Sequence, residues 1–174
     1  MEEKLQIRQM QGEAELAAVQ DLCRAYRALL LERWPDFRPF WDRYYGADDY
    51  EALLQRLPEV HRAPEGAILV AEIDGQIVGC GMYYGRGEGL CEIKRVYVSG
   101  AARGHGAGRA ICVEAMRMAH RAGYRQMVLD TTTRLPEAIA LYESLGFRRI
   151  APFYDPPADF AGNLLFYGAD LTEG

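Results

Sequence analysis

The stretch Arg103-Gly104-His105-Gly106-Ala107-Gly108-Arg109 decides the reading of this chain. It follows an apolar, β-branched run from Cys91 to Val98 and opens a helical pattern from Ala110 to Ala122. Glycines lack Cβ, so the backbone can curl until several N–H groups face one point. A helix start adds unpaired N–H donors and the positive end of the helix dipole. Arg103 and Arg109 add planar cations suited to phosphate oxygens. The segment therefore reads as a cradle for a pyrophosphate rather than as a bare surface turn.

Two phosphate-binding patterns compete for it. A Walker A loop needs Lys-Ser/Thr after its last glycine, and Arg109-Ala110 stands there. A dinucleotide fingerprint, G-x-G-x-x-G, accommodates Gly104 and Gly106 but meets Arg109 where close helix–strand packing calls for glycine. The strand pattern also opposes it. Ala67–Ile73 and Gln76–Tyr84 are rich in Ile and Val, and Asp74-Gly75 between them is a two-residue hairpin signal. A turn over Gly85–Gly89 then leads to a strand over Leu90–Val98. Three successive antiparallel strands precede the glycine loop, whereas a dinucleotide domain alternates strand and helix from its start. After the loop, Ile111, Ala115, Met118 and Ala122 share a helix face, Gly123 caps its end, and Gln126–Asp130 is a short buried strand. Strand, helix and strand make one βαβ crossover, so its two strands are expected to be parallel.

The spacing Arg103-x-x-Gly106-x-Gly108 resembles the Q/R-x-x-G-x-G/A signature of the GCN5-related N-acetyltransferase family. Glu92-Ile-Lys-Arg-Val-Tyr-Val98 resembles that family's central strand, and Ala138-Ile-Ala-Leu-Tyr-Glu-Ser-Leu-Gly-Phe147 its late helix and turn. The likeness is strong from about Gly66 to Phe147 and weak outside. It implies an α/β (α+β) fold, with a mixed, mostly antiparallel central sheet flanked by helices and one βαβ crossover carrying the acetyl-CoA loop. It implies acetyl-CoA as donor, seated on the backbone of Val96, Tyr97 and Val98 and on the loop Arg103, Gly104, His105, Gly106, Ala107, Gly108 and Arg109. His105 would contribute its N–H, not acid–base chemistry. The two strands would splay apart, and an N–H near Val96 would polarise the thioester carbonyl.

Transfer to an amine poses a proton problem. At pH 7 roughly one alkylamine in a few thousand is neutral, given a pKa near ~10.4. Two carboxylates match base positions used in branches of the family, Glu92 and Asp130. Glu92 is preferred, because Asp130 is shorter in reach. Tyr142 matches the family's general acid for the departing thiolate. Its spacing with Ala138, Leu141 and Leu145 places it on the inward helix face. One departure is Leu135, where the family usually has a helix-capping asparagine.

The remaining sequence bounds the problem. The 174 residues, nearly half hydrophobic, suit one domain over 1–174. No apolar run nears the ~20 residues of a membrane span, and Met1-Glu-Glu-Lys4 lacks a signal-peptide layout, so a cytoplasmic location is expected. The net charge of −5 argues against a nucleic-acid binder and is compatible with a cationic acceptor. The four cysteines form no C-x-x-C pair and lie at no metal-ligand spacing to His61, His105 or His120, so they read as reduced structural residues and no metal is expected.

Upstream, Leu5–Met10 reads as a strand and Glu13–Arg33 as a helix stopped by Pro35. The segment Trp34, Phe37, Phe40, Trp41, Tyr44, Tyr45 and Tyr50 reads equally as core packing or as the wall of an acceptor pocket. Pro35 and Pro39 break it early, and Asp48 is expected to cap a short helix to Leu57. Phe147 begins a strand, Tyr154-Asp-Pro-Pro157 is a rigid loop over the acceptor site, and Asn163–Leu171 is a last strand. The expected activity is direct acetyl transfer to the primary amine of a small molecule. A peptide or protein amine acceptor and a non-catalytic CoA-binding module are the alternatives, and both monomer and homodimer stay open.

Overall fold

The protein is described by a computed structural model over residues 4–44 and 46–171. Its strands are β1 (Leu5–Gln9), β2 (Ala67–Ile73), β3 (Gln76–Gly87), β4 (Leu90–Val98), β5 (Gln126–Thr132), β6 (Arg148–Arg149) and β7 (Leu164–Asp170). Its α-helices are α1 (Gly12–Arg33), α2 (Arg38–Tyr44), α3 (Ala47–Gln55), α4 (Leu57–Val60), α5 (Ala107–Arg121) and α6 (Pro136–Ser144). The strands form one seven-stranded sheet in the order β1-β2-β3-β4-β5-β7-β6. Every pairing is antiparallel except β4 with β5. This is the mixed sheet with a single βαβ crossover that the glycine loop and its flanking strands predict.

Each face of the sheet carries an apolar layer. On one side Ile111, Cys112, Ala115 and Ala119 of α5 and Tyr142 of α6 pack against Tyr83, Ile93, Met127 and Leu129. On the other, Val19, Leu22 and Cys23 of α1 and Tyr50, Leu54 and Leu57 pack against Ile68, Val70, Cys80 and Met82. Burying such side chains on both faces is the main favourable term available to a sheet of this size.

Several boundaries differ from the sequence expectation. Helix α5 begins at Ala107, so the end of the glycine loop is the first helical turn; an N-terminal turn leaves its N–H groups unbonded and carries little sequence signal. The turn between β3 and β4 shrinks to Glu88-Gly89, both at positive φ, and lengthens β3 to Gly87. Gly46, not Asp48, is the N-cap of α3, and Asp48 lies in the first turn beside the helix dipole. Pro39 falls in the first turn of α2, where a missing N–H costs nothing, so it starts a helix rather than breaking one. Strand β5 continues through Thr131 and Thr132. Strand β6 starts at Arg148, one residue after Phe147, which is buried.

Candidate active site

Strands β4 and β5 pair only at Leu90–Gln126, Cys91–Met127 and Glu92–Val128. Beyond that register they separate, although β4 runs on to Val98 and β5 to Thr132. The splay opens a cavity of about 1000 Å³ that extends from the glycine loop, past Tyr142, to the aromatic side chains of α1–α3.

On its other edge β4 carries a bulge within the opened stretch. Lys94 pairs with Met82 and Tyr97 with Cys80, so Arg95 and Val96 together oppose Gly81. Arg95 has φ 54°, the left-handed conformation. A bulge disrupts the ladder locally and twists its strand. Gly81 is required beside it, because a Cβ there would lie 2.5 Å from Ile111 Cγ2 and 3.3 Å from Val96 Cγ2.

At one end of the cavity the loop folds as a cradle. Gly104 and Gly106 adopt φ of 91° and 73°, and Gly106 is the N-cap of α5. Ala110 N–H is the first to bond back, to the Gly106 carbonyl at 3.0 Å. The N–H groups of Ala107, Gly108 and Arg109 donate to no backbone carbonyl among the described residues. Gly108 faces Leu141 and Val98, where a Cβ would lie 3.6 Å and 3.8 Å from their methyl carbons, at ordinary contact distance. Arg103 and His105 are exposed at the mouth. Arg109 instead reaches α6, its Nη1 donating to Ser144 Oγ at 2.8 Å. Donors of this kind, with an open helix terminus, fit a diphosphate.

Tyr142 lines the cavity and is only 9% exposed. Its hydroxyl has no hydrogen-bond partner among the described residues. Burial holds its pKa well above the usual phenol value, with Cys112, Tyr26 and Asp130 adding to that effect. Burial likewise pushes the Cys91 and Cys112 thiols up to about 12, as expected of inert core cysteines. All four cysteines are free and buried.

The two carboxylates part company. Asp130 lines the cavity, and its Oδ2 accepts the Tyr154 hydroxyl at 2.5 Å. Glu92 is 1% exposed and absent from the cavity wall. It accepts from Tyr84 Oη at 2.7 Å and pairs with Arg86 at 2.8 Å and Lys94 at 3.2 Å. Lys94 does line the cavity. Burial lowers its pKa, but Asp130 and Glu92 outweigh that effect and hold it above the usual value.

Val96, Tyr97 and Val98 all lie on the opened part of β4. Leu135 is buried at the N-cap of α6 and supplies no side-chain cap, as its chemistry requires. From the aromatic segment Trp34, Trp41 and Tyr50 reach the cavity, joined by Tyr26. Tyr45 and the side chains of Phe37, Phe40 and Tyr44 lie outside the described residues. Tyr154 and Pro157, from the Tyr154–Pro157 segment, also line the cavity.

Sequence reasoning missed Arg95. Its signal is the spacing of apolar residues in β4, two between Cys91 and Ile93 but three between Ile93 and Val96, a break in strand alternation that marks a bulge. The net charge did not reveal the local charge. Arg27, Arg33, Lys94, Arg95, Arg103 and Arg109 reach the cavity against Asp130, Glu137 and Asp155, so the acidic balance of the chain lies elsewhere. Among the described residues no helix is long and apolar enough to cross a membrane.

Comparison with known proteins adds a family and a fold. A model of the acetyltransferase (GNAT) family matches residues 26–147. The uncharacterized N-acetyltransferase YjgM of Escherichia coli is 38% identical over 100 residues, covering 56% of this chain and 60% of that protein. The chain spans about 60% of the length of the two curated relatives it matches at 38% identity. A GNAT-family acetyltransferase structure from Staphylococcus aureus superposes with a TM-score of 0.72 at 15% identity, covering 97% of this chain and 99% of that one. The yncA protein of Salmonella typhimurium, solved with acetyl-CoA, superposes with a TM-score of 0.67 at 23% identity, covering 98% and 95%.

Proposed function

The chain belongs to the acetyltransferase (GNAT) family, and from that premise we propose that it moves an acetyl group from acetyl-CoA directly to the primary amine of a small molecule. The observation that carries this reading is the continuity of one cavity from the open N–H groups of α5, between the splayed β4 and β5, to Tyr142 and Asp130.

Each segment of the wall has a task. The N–H groups of Ala107, Gly108 and Arg109, with Arg103 at the mouth, hold the diphosphate; Gly104, His105 and Gly106 shape that cradle. The unpaired edge of Val96–Val98 offers backbone donors and acceptors to the pantetheine amides and a donor to the thioester oxygen as charge develops there. In the reaction the amine nitrogen bonds to the acetyl carbon, the C–S bond breaks, and coenzyme A leaves as its thiol. Asp130 takes the proton that the amine must lose, directly or through water. It fits this role better than Glu92, because it faces the cavity while Glu92 is enclosed by Tyr84, Arg86 and Lys94. Tyr142 hands its hydroxyl proton to the departing sulfur.

The lining of Trp34, Trp41, Tyr26, Tyr50, Tyr154 and Pro157 supports a small acceptor rather than an extended peptide. The test is a panel of small amines and peptides with acetyl-CoA, followed by free-thiol release. Turnover of small amines is expected. Turnover of peptides alone would transfer the assignment to protein acetylation, and acetyl-CoA binding without turnover of any amine would leave a binding module.

A further inference from the structure

Among the described residues, Arg95 is a cation without an anion. Its Nη1 donates to Met82 Sδ at 3.8 Å, a weak acceptor, and no carboxylate lies within ion-pair distance of it among the described residues. Its neighbour Lys94 has Glu92 at 3.2 Å. Within the cavity, Asp130 is engaged by Tyr154 and Glu137 by Arg33. A half-buried guanidinium whose planar fork meets only a weak sulfur acceptor is costly unless a ligand supplies a better one.

Its placement says which ligand. The bulge sets Arg95 on the α1–α3 side of the sheet, whereas Val96 and Val98 pack on the side of α5. Its charge reaches Tyr26, Tyr50 and His61, opposing the rise that burial gives the two phenols. None of these three groups belongs to the glycine loop that forms the diphosphate cradle. The spare charge therefore belongs to the acceptor half, between the aromatic wall and Asp130.

We propose that Arg95 receives a carboxylate of the acceptor, so that the substrate class is an amine that also carries a negative charge, an amino acid rather than a plain alkylamine or polyamine. Arginine suits this task because its fork binds both carboxylate oxygens at once and stays charged at every working pH. Asp130 at the same wall would then face the ammonium end of the same molecule, so the acceptor meets opposite charges at its two ends. The proposal rests on the reading of the chain as a small-amine acetyltransferase.

The test compares matched acceptors, each amino acid with its amide and its decarboxylated amine, in wild type, Arg95→Gln and Arg95→Lys. In wild type the carboxylate member is expected to lead by about tenfold or more in kcat/KM, the worth of one charge-assisted pair. In Arg95→Gln that ratio should fall to within about threefold, chiefly through KM, with Arg95→Lys between. A retained rise in Tm on adding coenzyme A reports that each variant is folded. A second arm needs no turnover: with coenzyme A present, amino acids should raise the Tm of wild type and not of Arg95→Gln. Matched phosphonates tell a carboxylate site from a general anion site, and a phosphonate preference would overturn the carboxylate assignment. The proposal fails if wild type uses neutral amines as well as their carboxylates, or if Arg95→Gln lowers both members equally. Acetylation of neutral amines without any carboxylate effect removes this proposal and keeps the transferase reading. Binding of carboxylates through Arg95 without turnover of any amine does the reverse.

Discussion

Tyr142→Phe isolates the proton delivered to the leaving sulfur. The change removes one hydroxyl and keeps the ring, which packs edge-on to Phe147 at 5.7 Å between centroids. The hydroxyl has no protein partner among the described residues, so stability should change by less than about 0.5 kcal/mol. The effect on rate turns on matched acidities. A buried phenol held well above 10 would give its proton to a solvated thiolate only uphill, by more than about 2 kcal/mol against a thiol pKa near ~8.5. The same burial acts on sulfur, however: the Cys112 thiol, whose charge is felt at Tyr142, is pushed up to about 12. A thiolate leaving beside Tyr142 is made more basic by that environment, and the two groups approach the matched condition in which general acids work best. Loss of the acid should therefore lower kcat by about 10²- to 10³-fold, or roughly 3–4 kcal/mol of barrier. The assay is free-thiol release at saturating acetyl-CoA, with both KM values expected within about threefold of wild type, since only a transition-state contact is lost. Because the phenol titrates far above its ordinary value, it should impose no alkaline fall in the wild-type rate up to about pH 10. A variant that turns over every responsive amine at the wild-type kcat would refute the acid role.

The two carboxylates should behave differently when neutralised. Glu92→Gln strands Arg86 and Lys94 beside a buried amide, which should cost about 3 kcal/mol and lower Tm by roughly 6–12 °C. Asp130→Asn should leave Tm within about 2 °C and lower kcat by about 100-fold; the opposite pattern in thermal melts and kinetics would return the base to Glu92. His61 is 3% exposed, its Nδ1–H donates to the Tyr83 carbonyl at 2.9 Å, and burial lowers its pKa from 6.5 to about 4. The unfolded chain thus binds the extra proton between those pH values, so stability falls as pH drops from 6.5 toward 4, by up to about 3 kcal/mol. His61→Gln, whose amide can still donate to that carbonyl, should flatten this part of a plot of Tm against pH. Gly81→Ala should lose about 1–3 kcal/mol by overpacking Ile111 and weaken coenzyme A binding measured by calorimetry, because the bulge must move; an unchanged affinity would show that the bulge does not shape the donor site.

Much of this molecule could be read from the chain because the signals are local. Gly104 and Gly106 need positive φ whatever surrounds them, Asp74-Gly75 closes its hairpin within two residues, and helix α6 shows its inward face in four positions around Tyr142. The parallel run of β4 and β5 followed from the same short-range grammar, since a crossover helix forces it. What depended on pairing across the sheet could not be read this way. The bulge at Arg95 lies opposite Gly81 on the neighbouring strand, and the burial of Glu92 depends on Tyr84 and Arg86 arriving from β3. The sign of charge in the cavity was likewise invisible to a total of −5, because a sum over residues carries no positions. The chain by itself determined the fold, the cradle and the inward tyrosine, through backbone conformation and periodicity. The tertiary structure alone decided which carboxylate meets the cavity and which cation is left without a partner, since burial and pairing arise between residues distant in sequence.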